Sequence, residues 1–375
     1  LQKYTHDWPH NGLSGSPIVA GDRLWFITNR REVVCLDIEP LRTGVGSPRE
    51  VWKYDLVADH KIVPVSPMIH THNTLGSLAM HRDLLFVPTG NGVAVDHPGA
   101  SKIKAPQAPS LICLHKDSGA LVWKDSSAGE LGYGGHHASP LVIEIAGKAQ
   151  VIHPQADGWV RSFRVETGEL LWKFDTNYKD GEWNWLGSER AKSVVTATPV
   201  FAGGRVYFAK GREHEFSSEY GRLFCLDPTK RGDISPEVED GQRGKPNPHS
   251  GLIWEFTTDG NDRLRVQETS SSVAVADGLV ILPDTSGVVH CFDAKTGGRY
   301  WTHELLDSVY GDPLIVDGKI YVGDDDGDVT VLKLSKEKEL LAICNCGHSI
   351  IAPPVFANGT LFVETMETLY AIQKP

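Results

Sequence analysis

No apolar stretch in this sequence approaches the roughly 18 residues that a membrane-spanning helix requires, so no such helix is expected. Basic residues are also short: 37 Lys and Arg stand against 48 Asp and Glu, for a net charge of −11. Binding to a phosphate backbone draws on clustered Lys and Arg, which makes nucleic acid a poor partner. Cysteine is sparse at six residues, and the absence of any Cys-x-x-Cys-His removes covalent haem attachment. Leu1 neither initiates a chain nor opens a signal peptide, so the sequence reads as a mature or trimmed form.

What is present is apolar and rich in turns. Hydrophobic residues make up 40% of the 375, with ten Trp, 38 Gly and 22 Pro. Helix interiors exclude Gly and Pro, so this mixture predicts many short strands joined by tight turns. Length alone would allow two or three domains, but repeat folds are the usual exception to that prior.

The chain repeats itself. "SLICLHKDSGALVWKD" from Ser110 is echoed by "FRVETGELLWKFD" from Phe163, "CFDAKTGGRYWTHEL" from Cys291 and, more loosely, "CLDPTKRGD" from Cys225. Each such tail follows a head: a small residue, commonly Pro, a short apolar strand, a turn and a second strand. Heads begin at Gly15, Gly76, Ala138, Ala197, Ser271, Gly311 and Ala352. The last three lie about 40 residues apart, the length of one four-stranded propeller blade, and the longer earlier spacings reflect insertions. Turns such as Ala20-Gly21-Asp22, Ala276-Asp277-Gly278, Val316-Asp317-Gly318 and Ala357-Asn358-Gly359 place residues tolerant of positive φ between strands, so the heads are hairpins. Trp52, Trp123, Trp172, Trp254 and Trp301 fall on a fourth strand, and Cys35, Cys113, Cys225 and Cys291 share one position on the third. Buried apolar packing accounts for those four thiols, since equivalent sites in different repeats lie too far apart to bridge.

The expected fold is all-β, a seven-bladed β-propeller of four-stranded antiparallel blades forming a single domain over residues 1–375. The repeats cover approximately 9–57, 66–127, 134–177, 193–259, 267–306, 309–346 and 350–375. The seventh stops at "LYAIQKP" without a fourth strand, and an open ring would leave sheet edges ready to pair with another chain. The N-terminal segment, residues 1–8, is expected to close the last blade, with Gln2 to Asp7 as the missing strand.

Head, "DAKTG" turn and "LWKF" tail resemble the PQQ-like, or quinoprotein-type, β-propeller repeat. That family includes quinone-dependent alcohol dehydrogenases and the outer-membrane assembly lipoprotein BamB. The resemblance implies an extracytoplasmic location, periplasmic or secreted. It leaves function open, because one propeller geometry hosts enzymes, scaffolds and ligand traps. Quinone-dependent members carry adjacent cysteines over the cofactor, whereas Asn345 separates Cys344 from Cys346 here. No bound quinone is therefore expected, and a quinone-dependent dehydrogenase ranks last among the readings.

Loop lengths sort by blade face. The tight hairpin turns share one face, together with two long third-to-fourth-strand connections, Ile38 to Arg49 and Pro228 to Ser250. The opposite face carries the insertions from Gly90 and Lys210 and the crossings between repeats, where binding is expected. The crossings are rich in His10, His70, His72, Tyr133, His136, His137, Arg190, Lys192, Glu268, Tyr310, Cys346 and His348. Converging His, Arg, Glu and Tyr at a concave mouth suit an anion, metal or acid/base site. The expected ligand-binding residues are His72, His136, His137, Arg190, Lys192, Glu268, Tyr310 and His348. Metal candidates are His70, His72, His136, His137 and His348, although "HTH" alone would leave a tetrahedral ion underligated.

Two functions are open. The first is a ligand- or partner-binding propeller that uses this mouth to hold a small molecule, a saccharide or a protein. The second is a carbohydrate-active lyase or hydrolase, cofactor-free or metal-assisted, with His137 and Tyr310 or His72 as the acid/base pair and Arg190 or Lys192 neutralising a carboxylate. Exposed apolar mouth loops would favour the first. Three motifs have simpler readings beside them. "GDDDGDV" from Gly323 resembles part of a calcium loop but lacks the downstream Glu, so turn chemistry accounts for it. "CNCGH" from Cys344 is a soft-metal clip, a local disulfide or two separately packed thiols, and "WNW" from Trp183 is packed on the body or offered to a flat ligand.

Overall fold

In a computed structural model the described residues are 15–63, 76–92, 102–130, 132, 138–183, 192–211, 221–240, 243–258, 265–267 and 269–373. They form thirty strands and two five-residue helices, Glu39–Thr43 and Leu56–His60. Two compact units are present. The first comprises Leu1–Trp185, Arg190–Thr198 and Thr229–Ser250; the second comprises Leu186–Glu189, Pro199–Pro228 and Gly251–Pro375.

The first unit holds three antiparallel meanders. Sheet one is Ile18–Ala20, Arg23–Ile27, Glu32–Asp37 and Arg49–Asp55. Sheet two is Ala79–His81, Leu84–Pro88, Leu111–His115 and Leu121–Asp125. Sheet three is Leu141–Ile145, Lys148–Pro154, Trp159–Arg164 and Leu170–Asp175. A fifth strand, Gly232–Asp233, pairs in parallel with Leu170–Asp175, and a two-stranded ribbon, Glu237–Asp240 with Arg243–Pro246, follows it. Both arise from the long connection after Pro228, whose length marks an insertion but whose pairing partner its sequence does not reveal.

The second unit holds four more sheets. Sheet four is Val200–Ala202, Arg205–Lys210, Arg222–Leu226 and Leu252–Phe256. Sheet five is Ala274–Ala276, Leu279–Pro283, Val288–Asp293 and Arg299–Glu304. Sheet six is Leu314–Val316, Lys319–Gly323, Asp328–Lys333 and Leu340–Asn345. Sheet seven has three strands, Val355–Ala357, Thr360–Glu364 and Leu369–Gln373. Every predicted head opens one of these sheets, and the all-β, four-stranded antiparallel expectation holds. Among the described residues there are eight sheets and none is closed; the expected closing strand, residues 1–8, lies outside them.

The recurring residues have a common physical cause. In six sheets the third and fourth strands are out of register by one residue at the same place, and in four of these a buried Cys faces the tail Trp there: Cys35 faces Trp52, Cys113 Trp123, Cys225 Trp254 and Cys291 Trp301. A small side chain is needed beside so large a ring, and Ser162 fills the role opposite Trp172. The four thiols are free and buried, and burial pushes them up to about 11 for Cys35 and Cys225 and about 12 for Cys113 and Cys291.

Four of the five tail indoles then reach the next sheet. The Nε1 of Trp52 donates to Lys116 O (2.9 Å), Trp123 to Val165 O (2.8 Å), Trp254 to Ala294 O (3.2 Å) and Trp301 to Ser335 O (2.9 Å). In the first three of these the turn that the indole meets carries a left-handed Gly whose absent Cβ makes room for the ring. A Cβ on Gly119, Gly168 or Gly297 would lie 2.7 Å from an atom of Trp52, Trp123 or Trp254 respectively. Trp172 departs from the pattern by donating to Gln150 Oε1 (3.0 Å) within its own sheet, and the edge beyond it is taken by Gly232–Asp233.

The heads are also stitched together. Ser16 N donates to Ser77 Oγ (2.9 Å), Ser77 N to Ser139 Oγ (2.8 Å) and Ser139 N to Thr198 Oγ1 (3.0 Å), all in the first unit. In the second, Ser272 N donates to Asp312 Oδ1 (2.6 Å). In these four pairs the small hydroxyl or carboxyl residue of one head accepts the backbone donor of the preceding head.

Candidate functional site

Two places stand out, one in each unit. Both are built from crossings and second-to-third-strand turns, which share one end of each sheet.

In the first unit, sheet three lines a cavity of about 380 Å³. Trp159 opens the third strand beside Asp175, its cross-strand partner, with Arg161 opposite Lys173 one pleat further along the same face. Arg161 grips Asp157 through two bonds, Nη1 to Oδ1 at 3.0 Å and Nη2 to Oδ2 at 2.7 Å. It also donates to Gln155, whose amide bonds Ser110 Oγ and Asp125 Oδ2, each at 2.7 Å. Burial pushes the Asp157 carboxyl up to about 6, even though the Arg161 fork pulls the other way. Lys179 Nζ holds Asp175 Oδ2 at 2.8 Å, and both carboxylate side chains are 10% exposed. The crossings complete the walls with Trp183, Lys192, Asn177 and the 128–130 segment.

Trp183 lines this cavity. Among the described residues Lys192 is the one predicted binding residue at this cavity, and its backbone N donates to Glu182 O at 2.8 Å. Asp157, Trp159 and Asp175 escape a sequence reading. They sit in and beside an ordinary Asp-Gly turn and a "KFD" strand end, where nothing local signals convergence. Gly158, left-handed at φ +76°, is tightly overlain: a Cβ there would lie 2.1 Å from Asn177 Nδ2.

In the second unit the loops at this end of sheets five to seven are bonded in series. Asp325 N donates to Ser308 O (3.0 Å), Ile350 N to Asp324 O (3.0 Å) and Met366 N to Ser349 O (3.0 Å), while the Ser349 hydroxyl donates to Asp325. The "GDDDGDV" segment is a turn: Asp324 Oδ1 accepts Asp328 N at 2.9 Å and Gly327 has φ +88°. These fixed loops display large apolar side chains to solvent, with Leu306 82% exposed, Met366 65% and Ile351 49%. Tyr310 is also exposed, and His348 lies 3.4 Å from Glu367 on the surface.

Of the other expected site residues, His10, His70, His72, Tyr133, His136, His137, Arg190 and Glu268 lie outside the described residues. Lys192 belongs to the first unit, Tyr310 and His348 to the second. Among the described residues no group of three or more His, Cys, Asp and Glu could hold a metal ion. Cys344 and Cys346 are both free thiols, the first exposed, the second partly buried with its pKa raised by burial.

The family model described as "Outer membrane protein assembly factor BamB" matches residues 5–234 and 245–339. The chain belongs to that family. A curated BamB from Burkholderia pseudomallei is similar to this BamB-family chain, 26% identical over 278 residues that span 66% of the chain and 65% of the relative. The match thus covers slightly less than two thirds of the relative's length. Among solved structures, BamB from Moraxella catarrhalis is similar at 17% identity, over 96% of this chain and 82% of that one, with a TM-score of 0.58. Sqt1 from Saccharomyces cerevisiae is similar at 12% identity over 94% and 82%, with a TM-score of 0.54. At such identities the likeness shows the fold, a β-propeller of PQQ-like repeats. Among the described residues no helix is long and apolar enough to cross a membrane.

Proposed function

We propose that this protein is a partner-binding scaffold in outer membrane protein assembly, working at the periplasmic face without a bound quinone or metal. One observation carries the reading: the crossings and second-to-third-strand turns of sheets five to seven are pinned to one another by backbone bonds yet present Leu306, Ile351 and Met366 to water. Large apolar side chains held rigidly in the open are costly in an isolated protein and are the usual core of a protein interface. Ring-forming repeats suit the task, since a scaffold needs a stiff frame and no reactive group. On this reading the seven main sheets are seven blades, and residues 2–7 supply the fourth strand that sheet seven lacks.

The test is a pair of variants, Leu306→Glu with Met366→Glu, compared with Val45→Glu on the other unit. All three sites are exposed, so the fold should survive each change. Co-purification with the cell's outer membrane assembly proteins should be lost in the first and kept in the second. Equal retention in both would remove the loop face from partner binding.

A further inference from the structure

We propose that the cavity beside sheet three is a binding site for a neutral saccharide, separate from the apolar loop face of the other unit. The walls have the composition that sugars need: the Trp183 indole, against which the C–H face of a pyranose packs, and fixed carboxylate and amide groups for its hydroxyls. The volume of about 380 Å³ suits a mono- or disaccharide.

The charges argue for a neutral ligand. Asp157 is already paired with Arg161 and Asp175 with Lys179, so neither carboxylate calls for a cation. Lys173 Nζ, Lys179 Nζ and Arg161 Cζ lie 4.7, 4.9 and 5.5 Å from the centre of the Trp159 ring. A fourth cation would meet their repulsion, which disfavours a Lys or Arg side chain as occupant. An anion would meet Asp157, Asp175 and Glu130, and among the described lining residues Lys192 is the one cation. Hydrogen bonding is what remains on offer. Among the described residues Asp157 Oδ2 and Asp175 Oδ2 each accept one donor, at 2.7 and 2.8 Å, and a carboxylate oxygen has room for another. Because Arg161 and Lys179 hold both groups in place, a ligand hydroxyl finds its acceptors already oriented.

The test titrates the full chain with glucose, N-acetylglucosamine, cellobiose and chitobiose, followed by Trp fluorescence and by saturation-transfer NMR. At least one should give a saturable change. Trp183→Ala, at a partly exposed loop position, should weaken that affinity about tenfold or more, while Tyr300→Ala in the other unit leaves it unchanged. Failure of all four sugars to give a saturable signal overturns the proposal, as does a signal that survives Trp183→Ala undiminished in a folded variant. Preferential binding of trilysine would overturn it in favour of a cationic peptide.

Discussion

Gly168 and Gly147 lie in two turns of the same sheet with nearly the same backbone, φ +71° and +73°, but in different surroundings. A Cβ on Gly147 meets nothing within 4 Å, whereas on Gly168 it would lie 2.7, 2.9 and 3.0 Å from ring atoms of Trp123. Ala at either position costs about 1–2 kcal/mol for the left-handed conformation. At Gly168 the indole must also move, which adds overpacking of about 1–3 kcal/mol and weakens the 2.8 Å bond to Val165 O, worth about 1 kcal/mol. Gly168→Ala should therefore cost about 4 kcal/mol and Gly147→Ala about 1–2 kcal/mol. Urea unfolding with Trp fluorescence reads both. In a Trp123→Leu background the excess at Gly168 should vanish, as expected for two residues coupled by contact. Equal costs for the two glycines in the wild-type background would refute the indole-on-glycine clamp as the link between successive repeats.

Other expectations follow from the same contacts. A carboxyl held up to about 6 in the folded state keeps its proton longer there than when unfolded, so Asp157 makes stability fall as pH rises from about 4 to 6, by at most about 3 kcal/mol. Asp157→Asn should flatten the stability profile over that window, and an unchanged slope would count against it. Asp293 runs the other way: the Tyr300 hydroxyl first, and then backbone donors, hold it down to about 2, so its contribution is present above about 4 and lost as pH falls toward 2. Tyr300→Phe should raise its NMR titration midpoint. Thiol labelling of the native protein should modify Cys344 and Cys346 and spare Cys35, Cys113, Cys225 and Cys291 until unfolding. Deleting residues 1–8 should lower the unfolding midpoint if they complete sheet seven, and leave it unchanged if they do not.

The repeat was legible because its residues answer to local rules. Positive-φ turns need Gly, Asp or Asn, and Asp277, Asp317 and Asn358 indeed have φ of 50°, 50° and 51°. The tail Trp and its facing Cys recur because one packing solution recurs, so their register could be read before their contacts were known. The cavity beside sheet three was not legible. Its walls come from a turn, two strand ends and two crossings, and Asp157 and Trp159 look like any hairpin residues until the fold brings Asp175, Trp183 and Lys192 beside them. The strand Gly232–Asp233 escaped for a similar reason, since two residues carry no period. The exposed apolar loop face lay between these extremes. Its end of the sheets followed from connection lengths, but the sequence drew attention to His348 and Tyr310 there and not to Leu306 and Met366.

The most direct test of the scaffold reading is site-specific photo-crosslinking in cells, with the reactive group placed at position 306 or 366 and, as control, at exposed Val45. The account predicts an adduct with a protein of outer membrane assembly from 306 and 366 and none from 45. No adduct from either loop position, or the same adduct from all three, would contradict it.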